Sequence, residues 1–375
     1  MFREVQAAPA TPPTTGLVAS ALRPSDTGWE QGFAWRPERC VTWQGFGPCS
    51  NPSGVPTAPD ADVVYHTPAG FRVRDTCTVM DGLRDPERVR RQVQAVTSYV
   101  VAHELWTGAL SLADPGDVSG SPYVNPYLSD GNATEVTPTA TDLAGMIGEL
   151  EAAAMVAASG QQVFIHMPPA FTFPLGNLVR RVGNVLYTPN DNVIVADAGY
   201  TGIGAPVPPT AEVQTVTITG GPTGGTFTLT YSGQTTATIP FNAVGATTVQ
   251  TALNNLSNLD GVTVTGAAGG PYTVTFPVNM GNPAQMTASG AGLTGGTTPS
   301  VGVATTTPYV APSFEAGTWL YATGPVQVRL SDIDIRVQPA ETVDRTTNRQ
   351  EIWADRLFAA TFDPCVQLSM RVDGS

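Results

Sequence analysis

His103 and Glu104 stand together near the end of an amphipathic run, as the first two residues of a zincin motif do. That chemistry needs a second histidine four residues after the first, so that both imidazoles hold zinc while the glutamate acts as general base. Position 107 is Thr107, and the ligand set is not completed. His166 ends the apolar run "VFIHMPP", where a lone histidine reads as a hydrogen-bonded core residue, not a base. Asp332 and Asp334 in "SDIDI" share one face of a strand, the arrangement of a carboxylate pair. Neither a metal nor a glycosidase partner can be placed beside them, so a solvated strand face is the reading. Cys40, Cys49, Cys77 and Cys365 lack CxxC spacing, and only three histidines (His66, His103, His166) accompany them, which argues against zinc. These cysteines are either free buried thiols, as in a cytosolic enzyme, or two disulfides, as in a particle released into an oxidising medium.

Other catalytic signatures are missing from the sequence. It contains no GxSxG elbow and no P-loop. All 18 basic residues are arginine, which excludes a Schiff-base lysine and a phosphate-binding P-loop lysine. Asn132-Ala133-Thr134 matches a glycosylation acceptor, a pattern short enough to recur by chance. The expectation is a protein with no enzymatic activity and no cofactor or metal. The net charge of −13 argues against a chain that grips nucleic acid by its phosphates, though not against one that encloses it. No stretch approaches the eighteen apolar residues of a membrane span, and the N-terminus has no basic segment followed by an apolar run.

Positioning elements follow from pattern. Charged residues make up 13% of the chain, about half the usual share, while 39 glycines and 33 prolines favour strands, turns and extended arms over helical bundles. Residues 1–60 interleave Pro, Gly and Ser with Trp29, Phe33, Trp35, Trp43 and Phe46, an arm that packs on something else. Val63–His66 and Phe71–Val79 read as two strands joined by the "TPAG" turn, a hairpin. Asp85 as N-cap, Pro86 at the first helical position and Glu87 in the first turn open a helix of about five to six turns. It carries Val89, Val93, Val96 and Val100 on one face and stops at Gly108. Arg84, Arg88, Arg90 and Arg91 cluster at its start, where the macrodipole disfavours cations, so an acidic partner or solvent is expected there.

Thr141 caps a second helix that runs to Gly160, followed by the apolar strand "QQVFIHM" and two short strands around a "PND" turn, a compact α+β unit. Residues 209–310 change character: Glu212 and Asp260 are their charged residues, and Thr alternates with Val, Ile, Phe and Leu across Gly-rich turns. One helical segment, with Val249, Leu253 and Leu256 on a face, interrupts the pattern. This reads as an independent β-rich domain inserted between Tyr200 and Trp319 of its parent. "GTWLYATGPVQVRLSDIDIRV" follows as a strand pair bent at Ala322–Pro325. "QEIWADRLFAATFDPC" then places Ile352, Ala354, Arg356, Phe358 and Ala360 on one strand face and Trp353, Asp355, Leu357, Ala359 and Thr361 on the other.

In this order, the elements resemble the major capsid protein of tailed phages, the Hong Kong 97 type fold shared with encapsulins. The resemblance rests on "LEAAAMVAASGQQVFIHMPPAF", "GNVLYTPNDNVIVADAGYTG", "GTWLYATGPVQVRLSDIDI" and "ETVDRTTNRQEIWADRLFAATFDPCVQLSM". It implies an α+β fold with an N-terminal arm (1–60), an extended hairpin loop (61–84), a spine helix (85–108), axial and peripheral domains (109–208 and 311–375) and an inserted β-rich domain (209–310). The Thr/Gly module is similar to a domain recurring in virion proteins of actinobacterial phages, both capsid and tail. The implied function is an icosahedral shell of hexamers and pentamers around double-stranded DNA, with a cement or decoration protein as a further partner. Without lysine, the family's lysine–asparagine crosslink cannot form.

Position then points to a local Cys40–Cys49 bridge and to a Cys77–Cys365 bridge if the peripheral domain brings those two together. Asp355 and Arg356, with the arginines at 84, 88, 90 and 91, become candidate contacts within or between subunits. A tail or minor head protein carrying the same module, an encapsulin-like shell, and a carbohydrate-binding or hydrolytic virion protein are the alternatives.

Overall fold

The computed structural model describes residues 10–37, 63–78, 86–118, 121–241, 245–338 and 349–372. Cys40, Cys49, Arg84, the Asp85 cap and the side chain of Cys77 lie outside the described residues. The chain is a mixed α+β protein that divides into two units, Met1–Ala205 with Glu315–Ser375, and Pro206–Phe314.

In chain order the first unit holds α1 (Leu17–Ser20), β1 (Phe33–Trp35), β2 (Val64–His66), β3 (Ala69–Thr78), α2 (Pro86–Thr107), β4 (Thr134–Glu135) and α3 (Leu143–Ala157). Then come β5 (Phe164–Met167), β6 (Arg180–Val182), β7 (Val185–Tyr187) and β8 (Val193–Ala196). After the second unit follow β9 (Thr318–Thr323), β10 (Gln327–Leu330), β11 (Asp334–Val337), β12 (Arg349–Thr361) and β13 (Gln367–Val372).

The 22-residue α2 buries a stripe in four-residue steps: Val89, Val93, Thr97, Val101 and Leu105. Thr97 sits in this apolar stripe because its hydroxyl donates to the Val93 carbonyl at 2.6 Å. Val96, expected on the stripe, is 37% exposed, since the four-residue step carries the buried line through position 97 instead. Gly108 ends the helix in a left-handed conformation (φ 61), donating its N–H to the Glu104 carbonyl. In α3 the cap is Asp142, not the expected Thr141: Asp142 Oδ2 accepts from Gly145 N at 3.2 Å.

A seven-stranded sheet runs in the order β4-β13-β9-β5-β8-β7-β6, with β5–β8 and β4–β13 parallel. Period-two alternation gives it two apolar faces. Ile165, Met167, Ile194, Leu320, Ala322, Leu368 and Met370 pack with Ile147, Leu150 and Ala154 of α3. Phe164, Val193, Val195, Trp319 and Tyr321 pack with Leu17, Val101, Leu105 and Trp106. The second sheet is built on β12, 13 residues long. It pairs with β3 along ten positions from Arg349↔Thr78 to Phe358↔Ala69, and along its other edge with β11 and β10.

The expected 63–79 hairpin is not what forms. β2 pairs with β1 (Phe33↔His66), and β3 pairs with β12, 283 residues away at Arg72 and Asp355. Between β2 and β3, Thr67 is held by Asn125, whose Oδ1 accepts from Thr67 N and whose Nδ2 donates to Thr67 O. That side chain takes the place of a strand partner and separates the two strands. The bent pair at Ala322–Pro325 likewise splits, β9 into the first sheet and β10 into the second.

In the second unit, 263–265, 272–275, 213–219 and 300–307 form one four-stranded sheet, in that order, and 224–231 pairs with 234–235, 239–240 and 287–294 in another. Helix Gly245–Asn254 contributes Val249 and Leu253 to a core with Val216, Phe227, Leu229, Tyr272, Val274 and Phe276. The unit runs from Pro206 to Phe314, against the expected 209–310.

Candidate functional site

The β12 sheet carries Asp355 and Arg356, and α2, which packs on it, carries Arg88, Arg90 and Arg91. On one face, Ile352 and Ala354 are buried with Val89 and Val93 of α2. Phe358 and Ala360 continue that face into the main core. Arg356 lies in the same row, half-buried. Its Nε donates to the Ser331 carbonyl and its Nη1 to Thr97 Oγ1, each at 3.2 Å. Burial, and then the charge of Arg23, lower its pKa, with Asp332 opposing them. Among the described residues it has no carboxylate within ion-pair distance.

Along 353–357 the opposite face carries Trp353, Asp355 and Leu357, the last 39% exposed. Asp355 accepts from Arg72 Nε at 2.6 Å and Nη2 at 2.8 Å, a side-on two-point pair. The bond from Arg72 holds the Asp355 carboxyl below its ordinary pKa. Arg74 pairs with Glu351, and Arg336 with Asp334. Arg72 also lies over the Trp353 ring, 5.8 Å from its centre. Of the helix-start arginines, Arg88 pairs with Asp75 at 3.3 Å and Arg90 with Glu87 at 3.2 Å. Arg91 sits beside them on α2 and has partners of its own. Arg88, Arg90 and Asp355 thus have partners within the chain.

Cys365 is disulfide-bonded. Within one chain the expected bond to Cys77 is excluded by register. Cys77 pairs with Gln350 at one end of β12, and Cys365 lies four residues beyond Thr361 at the other. Eleven residues of strand span about 36 Å, against the less than about 7 Å between Cα atoms that a disulfide tolerates.

His166 is fully buried, as a satisfied core residue. The Thr323 hydroxyl donates to the Gly324 carbonyl at 2.7 Å, so it accepts from His166 Nε2 at 2.8 Å. His166 Nδ1 then accepts from the Tyr200 hydroxyl at 2.9 Å. Burial pushes the imidazole pKa down to about 3 and the Tyr200 phenol well up. A neutral ring with both nitrogens occupied has no free position for general-base work. His103 stacks on Tyr99, with ring centres 6.0 Å apart, on the α2 surface. Asp332 and Asp334 do not converge on a cleft; Asp334 is paired to Arg336 in solvent. Among the described residues no three His, Cys, Asp or Glu side chains are grouped to hold a metal.

Two features carried no sequence signal. Asp197 is 4% exposed and pins the N-terminal segment: its Oδ2 accepts from Leu17 N at 2.9 Å and Ser98 Oγ at 2.6 Å, and its Oδ1 from Gly199 N at 3.0 Å. Gly16 (φ 107) is required there, because a Cβ would run into that carboxylate. The second is Arg329 on β10. Its Nε and Nη2 donate to Asp26, and its guanidinium lies 4.5 Å over the Phe33 ring.

No family model matches the chain. A stretch of 97 residues, 25% of the chain, is 44% identical to the tail sheath protein of Mycobacterium phage Bxz1, of which it spans 16%. Over 100% of its length the chain is similar to a solved capsid of an empty GTA particle (8% identity, TM-score 0.43, 93% of that chain). It is also similar to a solved structure of Mycobacterium phage Cain (12% identity, TM-score 0.40, 100% of this chain and 95% of that one). The mature capsid of bacteriophage PhiM1 matches at 10% identity and TM-score 0.37, over 99% of this chain and 90% of the other.

Proposed function

We propose that this chain is a non-enzymatic structural subunit, the major capsid protein of a tailed phage with a Hong Kong 97-like fold. It assembles into hexamers and pentamers of an icosahedral head around double-stranded DNA. The observation that carries this reading is the β12 sheet: a ten-residue pairing between strands from opposite ends of the chain, backed by a 22-residue helix. Along 353–357 its other face carries the exposed Leu357 and the half-buried Trp353 and Asp355. A strand pair and long helix of this kind, beside a separate α/β layer, are what a shell subunit uses to reach over its neighbours, and symmetry multiplies contacts that are individually weak. The acidic charge of −13 suits a wall that must not trap its own genome.

Electron microscopy of the purified protein, and of virions labelled on this chain, tests the reading. Closed shells are the expected result. Finding the chain in tail tubes would overturn it.

The sheath match favours a second reading, a tail or minor head protein. Its 97 residues are close in length to the Pro206–Phe314 unit, and we assign the match to that unit as a module shared among virion proteins. Copy number decides: hundreds per particle support the capsid, a handful the minor protein.

A further inference from the structure

A cavity of about 80 Å³ opens in the first unit at the β4 edge of the seven-stranded sheet, with Glu135, Glu315, Trp319, Tyr321 and Ser369 in its lining. Register builds it. Tyr321 on β9 stands opposite Ser369 on β13, and Ser369 opposite Glu135 on β4, so the three side chains form one row across the sheet. Trp319, two residues before Tyr321, lies on the same face and adds an apolar wall. Its indole N–H already donates to the Ala316 carbonyl at 3.3 Å. Tyr321 is 2% exposed. Its hydroxyl, like that of Ser369, has no hydrogen-bond partner among the described residues, yet it is not sealed from solvent as the Trp353 indole N–H is. Burial, and then the charge of Glu315, raise the Tyr321 pKa, so the phenol stays neutral. Neither Glu135 nor Glu315 has a cationic partner among the described residues; Glu315 accepts from Ala205 N at 3.2 Å. Two unpaired carboxylates call for a cation, and the two hydroxyl oxygens add acceptors for its donors. The described residues group no third ligand for a metal. A guanidinium presents five donors in one plane and packs flat on an indole, which suits this lining.

We propose that this cavity receives Arg181 of a second copy of this chain, its guanidinium donating to Glu135, Glu315 and the Tyr321 hydroxyl. The inference rests on the shell reading, which brings copies together. The opposite edge of the same sheet supplies the occupant. There β6, Arg180–Val182, is the last strand and is exposed throughout. Arg180 is paired with Asp191. Arg181 beside it gives its Nε to the Gly183 carbonyl at 3.1 Å and has no carboxylate among the described residues. Leu178 and Val182 flank it, both exposed, and Phe173 just before them is 84% exposed, apolar surface of the kind a neighbour covers. One edge of the sheet thus holds an unpaired cation and the other two unpaired carboxylates. A contact between them is head-to-tail, and such contacts close copies into rings, as hexamers and pentamers require. With no lysine in the chain, arginine is the side-chain cation that a second copy brings at neutral pH.

The absence of lysine makes the test selective. Arg181→Lys keeps the charge at an exposed position and introduces the one side-chain amine of the chain. Particles assembled from a mixture of unlabelled and nitrogen-15-labelled Arg181→Lys protein are treated with a carbodiimide, which condenses the amine with a touching carboxylate. The expected product joins position 181 to Glu135 or Glu315 and pairs labelled with unlabelled peptides. Links confined to acids of the same chain, in particles that form normally, overturn the socket and leave the shell reading intact. A second measurement uses Glu135→Gln with Glu315→Gln, which removes both charges and keeps an acceptor for Ala205 N. Its particles should dissociate at lower denaturant than those of the unaltered chain, and unchanged dissociation refutes the proposal. If the unaltered chain forms no particles, the shell reading itself falls, and this inference with it.

Discussion

Lowering the pH from 7 to 5 should destabilise the first unit by about 4 kcal/mol, and two histidines set that figure. His66 is 7% and His166 0% exposed. Burial holds each imidazole at a pKa of about 3, with the Arg329 charge adding to the effect at His66. An unfolded histidine titrates near 6.5. Above that pH neither state binds a proton, and stability does not depend on these groups. Below it the unfolded chain binds protons that the native chain refuses, so stability falls by about 1.4 kcal/mol per pH unit per group until about pH 3. Over 7 to 5 this is about 2 kcal/mol each. The depressed carboxylates, Asp26, Asp355 and Glu149, act in a lower window, since their contribution is lost only as the pH falls through the carboxylate range. The assay is urea unfolding of the dissociated protein followed by tryptophan fluorescence. All six tryptophans and all three histidines lie outside Pro206–Phe314, so the signal reports the unit that titrates. With a slope of about 2–3 kcal/mol per molar urea, the midpoint should drop by about 1–2 M. His166→Gln, which cannot titrate, should remove about half of the drop. A midpoint that does not move between pH 7 and 5 would show that these rings are not held neutral and would refute the reasoning.

Four further outcomes are expected. Asp142→Ala removes the α3 cap and should cost about 1 kcal/mol in urea unfolding. A double-mutant cycle on Arg72 and Asp355, whose side chains are 58% and 27% exposed, should give a coupling below about 1 kcal/mol in the free subunit, shrinking with salt. Non-reducing peptide mapping should find Cys365 crosslinked and not joined to Cys77 of the same chain. Expressed alone, residues 206–314 should fold cooperatively, because Phe227, Leu229, Tyr272, Val274 and their neighbours form a core of their own; an unfolded fragment by circular dichroism would contradict this.

Local rules made the helices, the apolar strands and the inserted unit legible. Pro86 and Gly108 bracket α2, and alternating threonines mark the β-rich unit. Pairing was less legible because it depends on distant residues. "TPAG" announces that the chain turns between β2 and β3, but the partner of Thr67 is Asn125, and the partner of β3 arrives only after Arg349. A turn signal records backbone preference; it does not say which edge the next strand joins. The candidate residues follow the same division. The two faces of β12 were readable from alternation, yet which face α2 would cover was not, since Ala354, Ala359 and Ala360 are small enough for either role. Trp35 was legible only as an arm aromatic that packs on something; what it meets, Arg329 and its neighbours on β10, lies nearly 300 residues later and carried no signal.

The two faces of β12 differ in energetics. Ile352, Ala354 and Phe358 are buried on α2 or in the main core, so the stability of the sheet comes from that side. On the other side, Arg72–Asp355, Arg74–Glu351 and Arg336–Asp334 are solvent-exposed pairs that add little to folding. They do fix the direction of six charged side chains around Trp353, whose Nε1 is buried without an acceptor. A face of mutually neutralised charges can be covered by another protein without stranding an ion, because each cation carries its own counter-charge into the contact. Such a face is tolerant of solvent in the free subunit and of burial in an assembly. On the capsid reading proposed above, the core side of β12 holds the subunit together and its paired-charge side is the one offered to a neighbour.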